Sequence, residues 1–199
     1  SANPSHDWNE RVFDECYRPN AYSRILASDG SIRDIHNNYS HLSFNFGPTL
    51  FQWLAEKHPV VAQLIIDADR ESRERLDGHG NAIAQVYNHM IMPLASWRDK
   101  LTQIRWGKSF FRRHFGRDPE GMWLAETAIN METVKCLIDE GIRFTILSPT
   151  QAESFRAIKS DKDWISTENT QIDTRRAYRV YDPRSKSNDR YIDVFFFDE

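Results

Sequence analysis

A glutamate that directly follows a short apolar run is the residue of this sequence best suited to chemistry. Glu126 comes after residues 121–125 (GMWLA), and Trp123 lies three residues before it. A carboxylate at the end of a buried strand can attack the anomeric carbon of a sugar or act as a general acid, and an indole ring can stack on a sugar face. A structural role is the alternative, because a glutamate at a helix start often pairs with an arginine or interacts with the helix dipole. Position alone favours the structural role.

Two histidines offer further polar groups. His89 is suited to orienting a substrate hydroxyl or to serving as an acid or base, which is a common role of imidazole side chains. The alternative, which its spacing favours, is a histidine that is hydrogen-bonded within the packed segment 87–94. His6 opens the polar and aromatic cluster 6–10 (HDWNE), which either lines a site or forms a solvated loop; the solvated loop is the default.

The patterns that signal metals and cofactors are missing from the sequence. His36 and His41 are five residues apart, which matches no common zinc spacing. Residues 78–80 (GHG) are too short for a phosphate-binding loop and lack a following Lys-Ser or Lys-Thr. Cys16 and Cys136 are isolated, which favours two buried thiols over a disulfide or a metal site. We therefore predict neither a metal nor a cofactor.

Short apolar strands alternate with helices along the first three quarters of the chain. This alternation is typical of βαβ units, in which a parallel sheet is covered by helices. The strands are predicted at 41–46, 81–86, 121–125 and 143–147, and the helices from Pro48, at 60–76, from Ser96 to Phe115 and from Asn130 to Glu140.

Polar residues follow each of these strands. In parallel α/β folds, ligands bind at the carboxyl ends of the strands, where the loops are free to vary. We therefore expect one mouth to be ringed by groups from successive strands, among them Asn45, His89, Glu126 and Ser148.

The last part of the chain departs from this alternation. Residues 177–181 and 191–197 read as two strands joined by the polar turn 183–190, which predicts a hairpin. Segment 164–199 is thus expected to be a hairpin-like extension of one domain that covers residues 1–199. A parallel sheet of about four strands would leave open edges, which suggests part of a larger barrel.

Composition narrows the class of protein. The chain has 199 residues and a net charge of −3, with 26 basic and 29 acidic residues, so we expect no nucleic-acid partner. Six Trp, seven Tyr and twelve Phe favour a core rich in aromatic residues over a sugar-stacking groove. No apolar run approaches the roughly 20 residues that a transmembrane helix needs. We therefore expect no membrane partner and a cytoplasmic location. The oligomeric state is left open.

Five segments of the sequence resemble glycoside hydrolase family 57, which contains α-amylases, amylopullulanases, 4-α-glucanotransferases and α-glucan branching enzymes. The resemblance covers most of the chain from His6 to Ala152, weakens after that, and is greatest to a bacterial branch of the family. It rests on 121–128 (GMWLAETA), which resembles the nucleophile motif, and on 80–89 (GNAIAQVYNH) with Pro93-Leu94, 6–11 (HDWNER), 43–49 (SFNFGPT) and 144–149 (FTILSP).

The resemblance implies a (β/α)7 barrel and a retaining reaction on an α-glucan or maltooligosaccharide. In such a reaction a glutamate attacks the anomeric carbon, while an aspartate protonates the leaving oxygen and later activates water. Carried over, Glu126 is the nucleophile, Trp123 a ring that contacts substrate, and His89 a subsite residue. Asn45 and His6, which lie in two of the matching segments, are predicted to contact substrate.

Two family motifs have no counterpart in the sequence. The His-Gln-Pro motif of the first strand is absent, and so is the Asp-Gly-Glu motif of the acid; Asp198 follows a strand but lacks that context. We therefore expect a partial catalytic domain without the first strand, the later strands and the acid, and no turnover by the isolated chain.

Two rival interpretations belong to other functional classes. A non-catalytic carbohydrate-binding or regulatory protein would use Trp123 and its neighbours to hold glucan without cleaving it. A metal-dependent polysaccharide deacetylase would need paired aspartates and an H-x-x-x-H spacing, and the sequence has neither.

Overall fold

The computed structural model describes residues 2–158, 163–168 and 171–198 and is mixed α/β with small sheets. The α-helices are α1 Trp8–Val12, α2 Arg18–Ala21, α3 Pro48–Lys57, α4 Pro59–Arg75, α5 Trp97–Phe115 and α6 Met131–Asp139. The strands are β1 Ser23–Leu26, β2 Ile32–His36, β3 Ala84–Gln85, β4 Met122–Trp123, β5 Phe144–Leu147, β6 Ser154–Phe155, β7 Ile165–Ser166, β8 Tyr178–Tyr181 and β9 Tyr191–Phe196. A π-helical turn, Phe13–Tyr17, joins α1 to α2.

The chain divides into two compact units. Unit 1 consists of residues 1–84 and 109–118, and unit 2 of residues 85–108 and 119–199. The predicted single domain over 1–199, with 164–199 as its extension, stays a prediction.

In unit 1, α3 and α4 form where a helical apolar stripe follows a proline. Pro48 and Pro59 each occupy the first turn of a helix, where a backbone N–H is not needed for the helical ladder. Phe51 and Leu54, three residues apart on one face of α3, are completely buried. The Phe51 ring packs edge-on against the His114 ring, with the centroids 4.9 Å apart. The helix predicted from Pro48 is confirmed, and α4 confirms the one predicted at 60–76.

The sequence did not predict the hairpin that β1 and β2 form. The two strands pair antiparallel, and Asp29 turns the chain between them by accepting a hydrogen bond from the Ser31 N–H (3.0 Å). Ile25 and Ile35 remain about half exposed, so the hairpin buries no apolar face that would have marked it in the sequence.

The strand predicted at 41–46 is reduced to a single bridge. Phe44 pairs in parallel with Ala82, and its carbonyl accepts a hydrogen bond from the Ile83 N–H (2.8 Å).

A buried ion pair joins distant parts of unit 1. Both carboxylate oxygens of Asp69 accept hydrogen bonds from the Arg117 guanidinium, at 2.7 and 3.0 Å. Asp69 also accepts from the Ala82 N–H at 2.9 Å, and its side chain is only 2% exposed. Gly80 leaves the space for this carboxylate, because a Cβ at that position would overlap it. The buried carboxylate is therefore both neutralised and hydrogen-bonded.

Unit 2 contains a three-stranded sheet in the order β5–β9–β8. β5 and β9 run parallel, with Phe144 opposite Asp193 and Leu147 opposite Phe196. β8 and β9 run antiparallel, which confirms the predicted hairpin; β9 also pairs with β5 and so belongs to the same sheet. A parallel bridge between Gly121 and Phe144 continues the pairing toward β4.

The turn of this hairpin is organised by a buried carboxylate. Asp182 is completely buried and accepts hydrogen bonds from the Arg184 guanidinium and backbone N–H and from Arg190. These hydrogen bonds, with that of the Arg184 side chain the largest, hold the pKa of Asp182 well below its usual range. Asp182 therefore keeps its negative charge although it is buried in the turn.

Across the described parts of the chain, none of the helices combines the length and the apolar character that crossing a membrane requires.

We expect Asp69→Ala to lower the free energy of unfolding by about 3–5 kcal/mol, because it leaves the Arg117 charge buried without its partner. Asp67→Ala, two residues away on α4, removes an exposed carboxylate that pairs with Arg70 and should cost about 1 kcal/mol or less. Denaturant unfolding of both variants measures the difference. Equal losses would contradict the buried pair.

Candidate active site

Glu126 lies on a tight turn that directly follows β4. Leu124 and Ala125, which follow the strand, are buried, and the chain then turns so that the Thr127 and Ala128 N–H groups bond back to their carbonyls at 3.0 Å. The Glu126 side chain points to solvent and is 77% exposed. The turn therefore presents a carboxylate from a strand end that is itself anchored in the core of unit 2.

The backbone of this turn is in an unusual conformation. Glu126 and Thr127 both have φ of +53°, in the left-handed region that side chains bearing a Cβ rarely adopt. The cost is about 1–2 kcal/mol per residue, and it is greatest for a β-branched residue such as Thr127. Such strain is typical of functional sites, where the surrounding structure holds it in place.

His89 lies at the corresponding place after β3. It also has a positive φ, +52°, and its N–H bonds to the Val86 carbonyl at 3.4 Å. Val86 in turn donates to the Trp123 carbonyl in β4 at 3.3 Å. The loops that follow these two adjacent strands therefore each contain a residue with a positive φ and a polar side chain.

These two side chains meet. The His89 Nε2 lies 3.7 Å from the Glu126 Oε1, and both side chains are more than half exposed. This distance is longer than a hydrogen bond, but it is within reach of an ion pair if the imidazole is protonated. The structure brings a carboxylate and an imidazole to one accessible point.

The loop that carries His89 is held by α5. The buried Gln103 side chain accepts a hydrogen bond from the Asn88 N–H at 2.7 Å, and the Gln103 backbone carbonyl accepts from the Tyr87 N–H at 3.3 Å. Gly107, one turn further along α5, permits this approach, because a Cβ there would overlap the Gln85 carbonyl oxygen. The Tyr87 ring packs edge-on against Trp106, with the centroids 5.5 Å apart.

The loop that follows β5 reaches the Glu126 turn. Ser148 caps a short 3₁₀ turn, Pro149–Gln151, and the Gln151 side chain accepts a hydrogen bond from the Ser148 N–H at 2.9 Å. The same side chain donates to the Thr127 carbonyl at 2.9 Å. Ser148 was predicted at this mouth, and its loop does contact the turn that carries Glu126.

The other predicted site residues are placed less specifically. Trp123 belongs to β4 and is partly buried. Asn45 and His6 belong to unit 1, where Asn45 lines a cavity of about 310 Å³ with aromatic walls. His6 is 89% exposed and contacts Asp7, whose pKa lies below its usual range because the carboxyl accepts hydrogen bonds from the Glu10 N–H and from His6. The solvated-loop alternative is the simpler description of His6.

Asp198 follows β9 and accepts a hydrogen bond from the Thr174 hydroxyl at 3.3 Å. Within the described residues, no group of three His, Cys, Asp or Glu side chains is arranged to hold a metal ion. The prediction that the site uses no metal stays a prediction.

The two glutamines that hold these loops were not among the residues predicted from the sequence. Gln151 had a readable signal, since Ser148-x-x-Gln151 has the spacing of a capping box. Gln103 had none, because a glutamine within an amphipathic helix is ordinarily a solvated residue.

Replacing Thr127 by glycine tests the left-handed turn without any assay of function. Glycine adopts positive φ freely, so we expect the free energy of unfolding to stay the same or to rise by up to about 1 kcal/mol. Thr102→Gly, on the helical backbone of α5, should lower it by about 1 kcal/mol. Thermal unfolding compares them, and equal destabilisation would show that Thr127 is not left-handed in solution.

Comparison with curated proteins finds similarity to enzymes of α-glucan metabolism. The chain is 29% identical over 107 residues to alpha-amylase 1 of Dictyoglomus thermophilum, covering 53% of this chain and 15% of that protein. It is 23% identical over 155 residues to the 4-alpha-glucanotransferase of Thermococcus litoralis, covering 78% and 21%. The chain thus spans about a fifth or less of the length of these relatives.

Solved structures show the same likeness at the level of the fold. The Thermococcus litoralis 4-alpha-glucanotransferase superposes with a TM-score of 0.56 and 22% identity, over 81% of this chain and 22% of that one. The exo-type maltose-forming amylase of Pyrococcus sp. ST04 gives 0.61 and 15%, over 96% and 27%.

The family is shown by a match that extends over nearly the whole chain. The sequence pattern of glycosyl hydrolase family 57 matches residues 8–199, which confirms the resemblance inferred from the five segments. The strand-end glutamate, the histidine beside it and the mixed α/β fold all lie within that match. This chain belongs to glycosyl hydrolase family 57.

Proposed function

We propose that the protein is a retaining glycoside hydrolase or transglycosylase that acts on α-glucans, with Glu126 as its nucleophile. The observation that carries this proposal is the exposed Glu126 carboxylate, presented from a left-handed turn at the end of β4 beside His89. Membership of the family supports the class of reaction. The named relatives, an alpha-amylase and a 4-alpha-glucanotransferase, support the α-glucan as substrate.

The reaction proceeds in two displacements. A Glu126 oxygen attacks the anomeric carbon and forms a glycosyl ester, while the bond to the leaving oxygen breaks and that oxygen takes a proton from a general acid. The deprotonated acid then removes a proton from an incoming hydroxyl, which attacks the same carbon and releases Glu126. Water as the incoming group gives hydrolysis, and a sugar hydroxyl gives transfer.

The neighbours of Glu126 have roles that follow from their chemistry. His89, 3.7 Å from the carboxylate, is placed to donate a hydrogen bond to a substrate hydroxyl or, when protonated, to set a positive charge beside Glu126. Trp123 offers an indole face to a sugar ring. Asn45 and His6 remain proposed substrate contacts.

The general acid is proposed to come from the longer protein. Retention requires a second carboxyl group about 5–5.5 Å from the nucleophile, and the acid's Asp-Gly-Glu motif is absent from these 199 residues. Asp198 is not assigned to this role. The same proposal includes completion of a (β/α)7 barrel by further strands and a cytoplasmic location.

Glu126→Gln in the full-length protein tests the nucleophile. The amide keeps the shape of the side chain but cannot form the glycosyl ester, so kcat on an activated maltoside should fall about a thousandfold or more, with little change in KM. Because the side chain is exposed, the free energy of unfolding should change by about 1 kcal/mol or less. Azide should restore turnover to Glu126→Ala by attacking in its place.

The matched control is Glu153→Gln, an exposed carboxylate of the same unit, which should leave kcat unchanged. Full turnover by Glu126→Gln with a lowered melting temperature would return Glu126 to a structural role. Retained binding of maltooligosaccharide with no turnover by the parent protein would favour the non-catalytic alternative.

His89→Ala should lower kcat/KM for maltooligosaccharides about tenfold to a hundredfold, the equivalent of one hydrogen bond of a charge-assisted kind. His36→Ala, an exposed histidine that pairs with Asp34, is the control and should have no effect. Steady-state kinetics of both variants give the comparison. Unchanged kcat/KM in His89→Ala would remove His89 from the site.

A further inference from the structure

The side-chain amide of Gln151 joins two loops of unit 2. Its oxygen accepts from the Ser148 N–H and its nitrogen donates to the Thr127 carbonyl, each at 2.9 Å. The two bonds use opposite ends of one planar group. A glutamine satisfies both at once, whereas a glutamate can satisfy only the first.

The bond to Thr127 acts where the backbone is strained. Glu126 and Thr127 both have positive φ, and the peptide that follows Thr127 must keep its carbonyl aimed at Gln151 for that conformation to persist. The Ala128 N–H, which belongs to the same peptide, bonds to the Ala125 carbonyl, so Gln151 holds the second side of that peptide. Loss of the Gln151 bond would leave the peptide held from one side only, and its rotation would then relieve strain and carry the Glu126 carboxylate away from His89.

We propose that Gln151 is a positioning residue for Glu126: its amide clamps the left-handed turn and holds the carboxylate in its reactive orientation. This role rests on the proposed function of Glu126. Reactive geometry is demanding, since a misplacement of about 1 Å can cost about a hundredfold in rate. The loop after β5 therefore contributes to a site whose reacting group lies after β4.

A merely local role for Gln151 is the competing explanation. The capping box with Ser148 stabilises the 3₁₀ turn Pro149–Gln151 whether or not Thr127 is contacted. Gln151→Glu separates the two roles, because a carboxylate still accepts from the Ser148 N–H but faces the Thr127 carbonyl with a second acceptor. Thr150→Ala is the matched control, because the Thr150 hydroxyl lies in the same turn and is hydrogen-bonded to the Ser148 hydroxyl at 2.7 Å.

The test measures amide hydrogen exchange and steady-state kinetics on the full-length protein. In Gln151→Glu, exchange at the Thr127 and Ala128 N–H groups should rise about tenfold, as expected for the loss of one hydrogen bond. The kcat on an activated maltoside should fall about tenfold to a hundredfold with KM nearly constant. Thr150→Ala should change neither quantity.

Each other outcome overturns the positioning role. Unchanged exchange in Gln151→Glu would show that no clamp exists, whatever the kinetics. Faster exchange with unchanged kcat, in a protein that Glu126→Gln inactivates, would show a clamp without a catalytic consequence. Full turnover by Glu126→Gln would instead refute the proposed nucleophile itself, and that result is read from a variant in which Gln151 is untouched.

Discussion

Parallel strand pairing places the chemistry of unit 2 at one edge. β5 and β9 run in the same direction, and the bridge from Gly121 to Phe144 sets β4 in that direction too. The carboxyl ends of parallel strands lie side by side, so the loops that follow them are neighbours although they are distant in sequence. This is why the loop after β5 contacts the turn after β4. Gly121 is needed for the pairing, because a Cβ there would overlap the Phe144 ring.

The pairing alone would not aim a side chain. Glu126 is aimed by a contrast of burial across one peptide bond: Ala125 is almost completely buried, whereas the Glu126 side chain is mostly exposed. The apolar strand end cannot leave the core without exposing that surface, so the strain of the left-handed turn is held by hydrophobic burial behind it. Hydrophobic burial has no directional preference, whereas hydrogen bonds do. Gln151 supplies such a bond to the Glu126 turn, and Gln103 supplies one to the His89 loop.

Periodicity and end signals predicted the regular elements well. α5 and α6 begin at a polar cap, Ser96 and Asn130, and each is followed by a glycine with positive φ, Gly116 and Gly141, so their limits could be derived locally. The β8–β9 hairpin was equally readable. The β1–β2 hairpin was not, because its apolar side chains stay exposed, and β4 proved shorter than the run 121–125, because pairing depends on a partner strand that the run itself does not contain.

The sequence by itself determined the family, the alternation of strands and helices, and the candidacy of Glu126, since motifs and periodicity are local properties of the chain. Only the tertiary structure decided that His89 lies beside Glu126 and that both residues have a positive φ. It also decided that Gln103 and Gln151 hold their loops. These contacts join residues that are far apart in the sequence: 15 positions separate Asn88 from Gln103, 24 separate Thr127 from Gln151, and His89 and Glu126 are further apart still. No local pattern encodes them, because each depends on which strands, helices and loops the tertiary fold makes neighbours.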